Sequence, residues 1–171
     1  MTPRIVGLDL SLTAAGVATH TGPLAMKPPK NCVGVHRLAW YRSVLGDIYN
    51  DADLVVVEEY AFSRANAHSH EIGELGGVIR LDLHDSGIPF VAVNPSCLKK
   101  FATGKGNAGK DDMVATAARN GCPVNDNNAV DAWWLRQMAL YAYGDADIPG
   151  TAYRAAAATI PPWPNLEGKA A

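Results

Sequence analysis

Two short apolar runs each carry a carboxylate at or near their end, and this pattern restricts the fold more than any other feature. Asp9 lies in the run IVGLDLS at residues 5–11, and Glu58 closes the run LVVVE at residues 54–58. Continuous apolar runs of this length are typical of strands in a sheet that is covered on both faces. Because removing an unpaired carboxylate from water is costly, two such acids indicate that a cation neutralises them.

Two further carboxylates flank the start of a predicted late helix. Asp126 and Asp131 stand at the two ends of the segment DNNAVD. An α/β fold can gather them with Asp9 and Glu58 into a single metal cage. Oxygen ligands without a matching set of His or Cys residues predict Mg²⁺ or Mn²⁺. Such ions support phosphodiester chemistry by a two-metal route.

The order of predicted elements indicates an α/β domain over residues 1–145. A leading antiparallel meander is followed by βαβ units, which predicts a mixed central sheet of about five strands flanked by helices on both sides. After Gly144 the periodic pattern fails, and we expect residues 146–171 to form an extended or flexible tail. The predicted strands are 4–11, 16–20, 24–26, 54–58 and 89–93, and the predicted helices are 36–48, 71–84, 95–101, 110–119 and 127–143.

Length and composition exclude several classes of protein. The chain has 171 residues and is 48% hydrophobic, which fits one domain with a substantial core. No apolar stretch approaches the roughly 18 residues of a membrane helix, and the N-terminus does not resemble a signal peptide. The three cysteines are far apart, and we expect reduced thiols in a cytoplasmic protein.

A basic strip follows the fifth predicted strand, although the net charge of the chain is only −2. Lys99, Lys100, Lys105 and Lys110 fall within one short segment, with acids only after them. A basic strip beside an acidic metal centre is typical of a nuclease, so we expect these lysines to contact DNA phosphates. The alternative is an ordinary solvated surface.

The same segment nearly matches a nucleotide-binding loop. Residues 104–110 read GKGNAGK, but Asp111 stands where that motif requires Ser or Thr. An acid at this position would repel phosphate, and the loop follows a predicted helix rather than a strand. We therefore expect no nucleotide cofactor, and interpret the loop as a flexible basic element at the DNA.

Four segments together resemble one known family. They are similar to the RNase H-like superfamily and, within it, to the RuvC-type Holliday-junction resolvases, most of all to small RuvC-like proteins of actinobacterial phages. The order of the segments spans nearly the whole domain, and the resemblance implies an RNase H-like fold. The segments are IVGLDLSLTAAGV (5–17), VVVEEYAFSRAN (55–66), VNPSCLKKFATGKGNAGKDDM (93–113) and DNNAVDAWWL (126–135).

The resemblance assigns roles to individual residues. Asp9 matches the first-strand aspartate, Glu58 the glutamate that ends the fourth strand, and Asp131 the final-helix aspartate of the family's D-x-x-D-A pattern. This chain departs from the pattern at Asn128, which stands in the place of its first aspartate. The fourth ligand is therefore either Asp126, whose alternative role is an ordinary helix cap, or Asn128 through its amide oxygen.

The family's activity implies the function of this chain. We expect a metal-dependent, structure-selective endodeoxyribonuclease that cuts Holliday junctions and other branched DNA, such as forks and flaps. Two Mg²⁺ ions, with Mn²⁺ able to substitute, would lead to a 5′-phosphate and a 3′-hydroxyl. Phe62 and Arg64 join the expected DNA contacts. Symmetric cutting implies a homodimer through the helix at 71–84, in the host cytoplasm if a phage encodes the chain.

Two competing hypotheses belong to other classes. Asn128 motivates a non-catalytic module that binds branched DNA with the same fold. The Asp9 strand also resembles the phosphate-binding region of sugar kinases and actin-like ATPases, but those proteins use D-x-G-x-T/S and two such domains. Here residues 10–12 read LSL and lack the glycine.

Overall fold

A mixed sheet of five strands lies at the centre of the protein, in a computed structural model that describes residues 2–59 and 69–166. The strands are β1 (Ile5–Asp9), β2 (Ala15–Thr19), β3 (Gly22–Met26), β4 (Leu54–Glu58) and β5 (Phe90–Val93). Their order across the sheet is β3-β2-β1-β4-β5. The pairs β1–β2 and β2–β3 are antiparallel, whereas β1–β4 and β4–β5 are parallel. The predicted mixed sheet with a leading meander is therefore confirmed.

Helices cover both faces of this sheet. The helices are α1 (Gly34–Tyr49), α2 (Ser69–Asp85), α3 (Pro95–Thr103), α4 (Lys110–Arg119), α5 (Asn127–Ala142) and α6 (Ala152–Ala158). Among the described residues, no helix is both long and apolar enough to cross a membrane.

The alternation of side chains along β1 divides the core into two parts. Val6 and Leu8 pack on the face covered by α1 and α2, with Tyr41 and Leu75 as partners. Ile5 points to the other face, where α3, α4, α5 and α6 lie. Because side chains alternate along a strand, Asp9 at the end of β1 shares the face of Ile5 and points toward α5.

Helix α5 lies unusually close to the sheet at two glycines. A Cβ atom built on Gly7 of β1 would overlap the Ala132 carbonyl oxygen, and one built on Gly16 of β2 would overlap the Asn128 carbonyl oxygen. Both obstacles belong to the α5 backbone, which cannot move aside as a flexible side chain can. The two glycines therefore allow α5 to rest directly on the middle of the sheet.

A buried arginine joins α6 to the body of the domain. The Arg154 side chain is only 2% exposed. Its Nε donates to the Phe101 carbonyl at 3.3 Å and its Nη1 to the Pro149 carbonyl at 2.7 Å. The guanidinium thus donates a hydrogen bond to a carbonyl near the C-terminus of α3, where the helix dipole favours a positive charge. Within the segment for which the sequence predicts a tail, α6 is packed against α3.

We predict that adding a methyl group at either glycine beneath α5 destabilises the fold. Gly7→Ala and Gly16→Ala should each lower the free energy of unfolding by about 1–3 kcal/mol, because the new Cβ would push α5 away from the sheet. Gly46→Ala in α1 is the matched control. Its Cβ would lie 3.6 Å from the Asp82 carboxylate, an ordinary contact, so it should stabilise the helix by about 0.5–1 kcal/mol. Chemical denaturation measures all three, and a Gly7→Ala variant at least as stable as wild type would contradict this packing.

Candidate metal centre

Strand pairing brings the first two predicted carboxylates side by side. In the parallel pair β1–β4, Leu8 lies opposite Val57, so the next residues along each strand are Asp9 and Glu58. Both side chains fall on the α5 face of the sheet, because each lies two residues after one that faces α5, namely Gly7 in β1 and Val56 in β4. The carboxyl ends of two central strands thus place two acids at one edge of the sheet.

Helix α5 supplies the third carboxylate. Asp131 lies one residue before Ala132, whose backbone rests on Gly7, and this contact directs Asp131 toward the end of β1. Asp9, Glu58 and Asp131 line one cavity of about 360 Å³. The other residues lining it are Leu10, Glu59, Ile72, Pro95, Lys99, Lys110 and Met113.

The three carboxylates are mutually repulsive and poorly solvated. Burial is the main reason that the pKa of Asp9 lies well above its usual value, and the negative charges of Glu58 and Asp131 raise it further. The close approach of the Glu58 carboxyl group further favours a proton on Asp9. Burial likewise raises the pKa of Glu58. Burial and the charge of Glu58 raise the pKa of Asp131 to about 7.

Two lysines oppose this repulsion. Lys99 on α3 and Lys110 at the start of α4 line the cavity, and their positive charges lower the pKa of Asp131 against the effect of burial. The charge of Lys99 also lowers the pKa of Glu58 against the effect of burial. Lys100 and Lys105, the other two lysines of the predicted strip, are exposed and do not line the cavity.

The two candidates for a fourth ligand are engaged elsewhere. Asp126 caps α5, and its Oδ1 accepts from the N–H groups of Asn128 at 3.0 Å and Ala129 at 3.1 Å. The Asn128 Nδ2 donates to the Ala14 carbonyl at 2.7 Å, which ties α5 to the turn between β1 and β2. Neither Asp126 nor Asn128 lines the cavity. Sequence reasoning missed this link, because nothing local marks a hydrogen bond between residues so far apart in the chain.

The donor chemistry of the cavity fits a hard divalent cation. Its ligating atoms are carboxylate oxygens, the preferred ligands of Mg²⁺ and Mn²⁺. As they stand, no three His, Cys, Asp or Glu side chains within residues 2–59 and 69–166 are grouped closely enough to hold a metal ion. Because burial and mutual repulsion raise the pKa values of these carboxyl groups, cation binding must displace protons from the cluster.

Two further residues are predicted to contact DNA. Phe62 and Arg64 lie outside the described residues.

The fold is shared with solved resolvase structures. T. thermophilus RuvC in complex with a Holliday junction substrate matches with a TM-score of 0.68 and 19% identity, over 86% of this chain and 99% of that one. Another T. thermophilus RuvC structure matches with a TM-score of 0.65 and 18% identity, over 85% and 99% of the two chains. The yeast mitochondrial Holliday junction resolvase Ydc2 gives a TM-score of 0.52 and 11% identity, over 93% of this chain and 82% of that one. The architecture is therefore that of an α/β protein of the RNase H-like, RuvC type.

A curated relative narrows this class to one family. The crossover junction endodeoxyribonuclease RuvC of Acidobacterium capsulatum is 31% identical over 120 residues, which span 69% of this chain and 66% of that protein. No protein-family model matches the chain. The chain belongs to the RuvC family of Holliday-junction resolvases, as the sequence resemblance predicts.

The metal-free protein should lose stability as the pH rises from about 4 to about 7. The folded-state pKa of Asp131 is about 7 against an ordinary 3.8, so the folded protein keeps a proton that the unfolded chain releases in this range. The stabilisation is complete below the ordinary pKa and is lost as the pH rises through the folded-state value. Urea denaturation in EDTA should show a loss of at least about 1.4 kcal/mol, the equivalent of one pKa unit.

Two variants separate this effect from general acid sensitivity. Asp131→Asn should reduce the pH dependence, since it removes one titrating group and one of the charges that raise the pKa of Asp9. Asp47→Asn makes the same chemical change at an exposed position of α1 and should keep the wild-type slope. A metal-free wild type whose stability stays constant or rises over this range would contradict the buried, repelling cluster.

Proposed function

We propose that the protein is a metal-dependent, structure-selective endonuclease that cuts Holliday junctions and other branched DNA. The observation that carries the proposal is the convergence of Asp9, Glu58 and Asp131 on one cavity that Lys99 and Lys110 also line. Family membership supports it, because the curated relative is a crossover junction endodeoxyribonuclease. A structural neighbour was solved with a Holliday junction substrate.

The three carboxylates would hold the cations. The charges of Glu58 and Asp131 both act on Asp9, which supports a role for Asp9 in holding both ions. Two Mg²⁺ ions, with Mn²⁺ as a substitute, would supply activation of the attacking water and stabilisation of the leaving 3′-oxygen. Asp126 is held by two N–H donors in the helix cap and Asn128 by the Ala14 carbonyl, so we assign the main ligation to the three residues in the cavity.

The lysines would bind and orient the DNA backbone. Lys99 and Lys110 stand beside the carboxylates, where a scissile phosphate would bring its negative charge. Lys100 and Lys105 are exposed on the same segment, in reach of the phosphates that flank the cut. Contacts of this kind position the strand without reading its sequence, which suits an enzyme that selects DNA by its shape. We expect it to act in the cytoplasm, that of the host if a phage encodes it.

A second candidate function is a binding module without catalysis. Asn128 replaces a family carboxylate and its amide is used in a structural hydrogen bond. Such a module would bind branched DNA but would not cut it with any divalent cation.

Cleavage of a labelled four-way junction separates the two candidates. Wild type with Mg²⁺ or Mn²⁺ should cut paired strands of the junction and leave linear duplex intact. Asp9→Asn should cut at least about 100-fold more slowly, because it removes a charge that stabilises the bound cations. Asp47→Asn, the same change on an exposed face of α1, should cut normally. Binding without cleavage in either metal would favour the binding module.

We further propose that two copies form a homodimer through α2. The helix presents Leu81, which is 61% exposed. On the same side, Gly73 and Gly77 have no described atom within 4 Å of the position a Cβ would take. These residues recur at helical spacing, and two glycines four apart let a second helix approach closely. Paired incisions at a symmetric junction would then come from two identical sites.

A single charge in this face should separate the dimer. Leu81→Lys would place an ammonium group in an apolar helix contact, so light scattering should show half the wild-type mass. Leu24→Lys is the matched control, because Leu24 is 43% exposed on the edge strand β3 and lies away from α2. A monomeric wild type, or a Leu81→Lys variant with the wild-type mass, would contradict this interface.

A further inference from the structure

A long stretch of the chain carries positive charge without any acid. Residues 10–46 contain no Asp or Glu, although they include Lys27, Lys30, Arg37 and Arg42. The chain as a whole has a net charge of −2, so the acids are concentrated elsewhere. Segregation of charge on this scale creates a local positive potential that the total charge conceals.

The arginines of this stretch are neutralised by α2, but the lysines are not. Arg37 pairs with Glu71 at 2.8 Å and Arg42 pairs with Asp82 at 2.6 Å. Lys27 and Lys30 are both exposed, and neither forms an ion pair with a carboxylate in the described part of the chain. The unbalanced positive charge therefore lies in the loop between β3 and α1.

The sheet brings this loop to the edge that holds the carboxylates. Met26 at the end of β3 lies opposite Ala15, and Asp9 at the end of β1 lies opposite Gly16. The loop that follows Met26 thus leaves the sheet at the same edge as Asp9. Two strand spacings separate β3 from β1, a distance of about 10 Å.

The carboxylate cavity consequently lies between two basic groups. On one side, α3 follows β5 and carries Lys99 and Lys100. On the other side are Lys27 and Lys30. The segment that joins the loop to α1 adds no acid: Val33 and Val35 are 61% and 71% exposed, and the first turn of α1 contains no Asp or Glu.

We propose that Lys27 and Lys30 form a second phosphate-binding surface, which holds the DNA arm on the β3 side of the cut. The inference rests on the proposed nuclease function, since it assigns a second part of the DNA substrate to the edge of the sheet that holds the carboxylates. A DNA arm seated at the cavity extends well beyond 10 Å, because one helical turn rises about 34 Å. Its backbone would therefore pass over both basic groups, and this span favours DNA over an acidic protein segment as the occupant.

The salt dependence of junction binding tests the surface directly. The parent is the Asp9→Asn variant, which prevents cutting, and the test protein adds Lys27→Ala and Lys30→Ala. Each lost phosphate contact should reduce the slope of log affinity against log salt by about 0.9, so the double change should reduce it by about 1.8. Affinity for a four-way junction at low salt should fall roughly tenfold.

Two controls identify the role of the charge. Lys27→Arg with Lys30→Arg should restore the parental slope and affinity. Arg4→Ala removes a positive charge near the start of β1, at the opposite edge of the sheet, and should leave both unchanged. Thermal melting checks that each variant is folded. Because Lys27 and Lys30 are exposed loop residues, we expect their substitution to leave the fold intact.

The outcomes separate this inference from the function on which it rests. If the parent binds the junction and the lysine variant binds with the same slope and affinity, the surface is wrong and the nuclease proposal stands. Unchanged DNA binding together with lost binding to polyglutamate would instead assign the lysines to an acidic protein partner. A parent that binds no branched DNA overturns both proposals.

Discussion

The backbone of α5 rests against the backbones of β1 and β2 with no side chain between them. Gly7 and Gly16 make this approach possible, since any larger residue would meet a carbonyl oxygen of the helix. The same contact determines where Asp131 lies, because that residue immediately precedes Ala132 above Gly7. The Asn128 amide holds the first turn of α5 to the Ala14 carbonyl. The position of the third carboxylate thus depends on packing that the carboxylates do not make themselves.

This packing brings like charges together at a considerable electrostatic cost. Asp9 is 8% exposed, and it shares its surroundings with two other acids. Without a cation the cluster keeps protons, and Lys99 and Lys110 compensate only part of the repulsion. A site of this kind gains most when a divalent cation enters, since one ion relieves several repulsions and releases the retained protons. The polypeptide maintains the cluster through the stability of its two hydrophobic cores.

Most of the architecture could be predicted from sequence because burial leaves a local pattern. The continuous apolar runs predict β1 and β4, and the acids at their ends predict the edge where the site lies. Features that depend on distant contacts could not be predicted. The close approach of α5 to the sheet is one of them, because nothing local indicates that Gly7 and Gly16 each face a carbonyl oxygen of a helix far along the chain.

The positions of α6 and of the first turn of α5 also depend on distant contacts and could not be predicted from the sequence. Helix α6 has no periodic apolar face, and its position depends on the buried guanidinium of Arg154, which donates to the Phe101 carbonyl of α3. The link between Asn128 and Ala14 joins residues at opposite ends of the domain's sequence. An asparagine in the place of a family aspartate indicates a missing charge, but only the fold shows that its amide is a structural donor.

We propose that Asp9, Glu58 and Asp131 together form a divalent-cation site. Anomalous diffraction from crystals soaked in Mn²⁺ tests it most directly, because the signal locates the ion without assumptions about catalysis. We predict a peak between Asp9, Glu58 and Asp131, within ligand distance of all three carboxylates. An ordered Mn²⁺ bound elsewhere, with no peak among these three carboxylates, would contradict the proposed site.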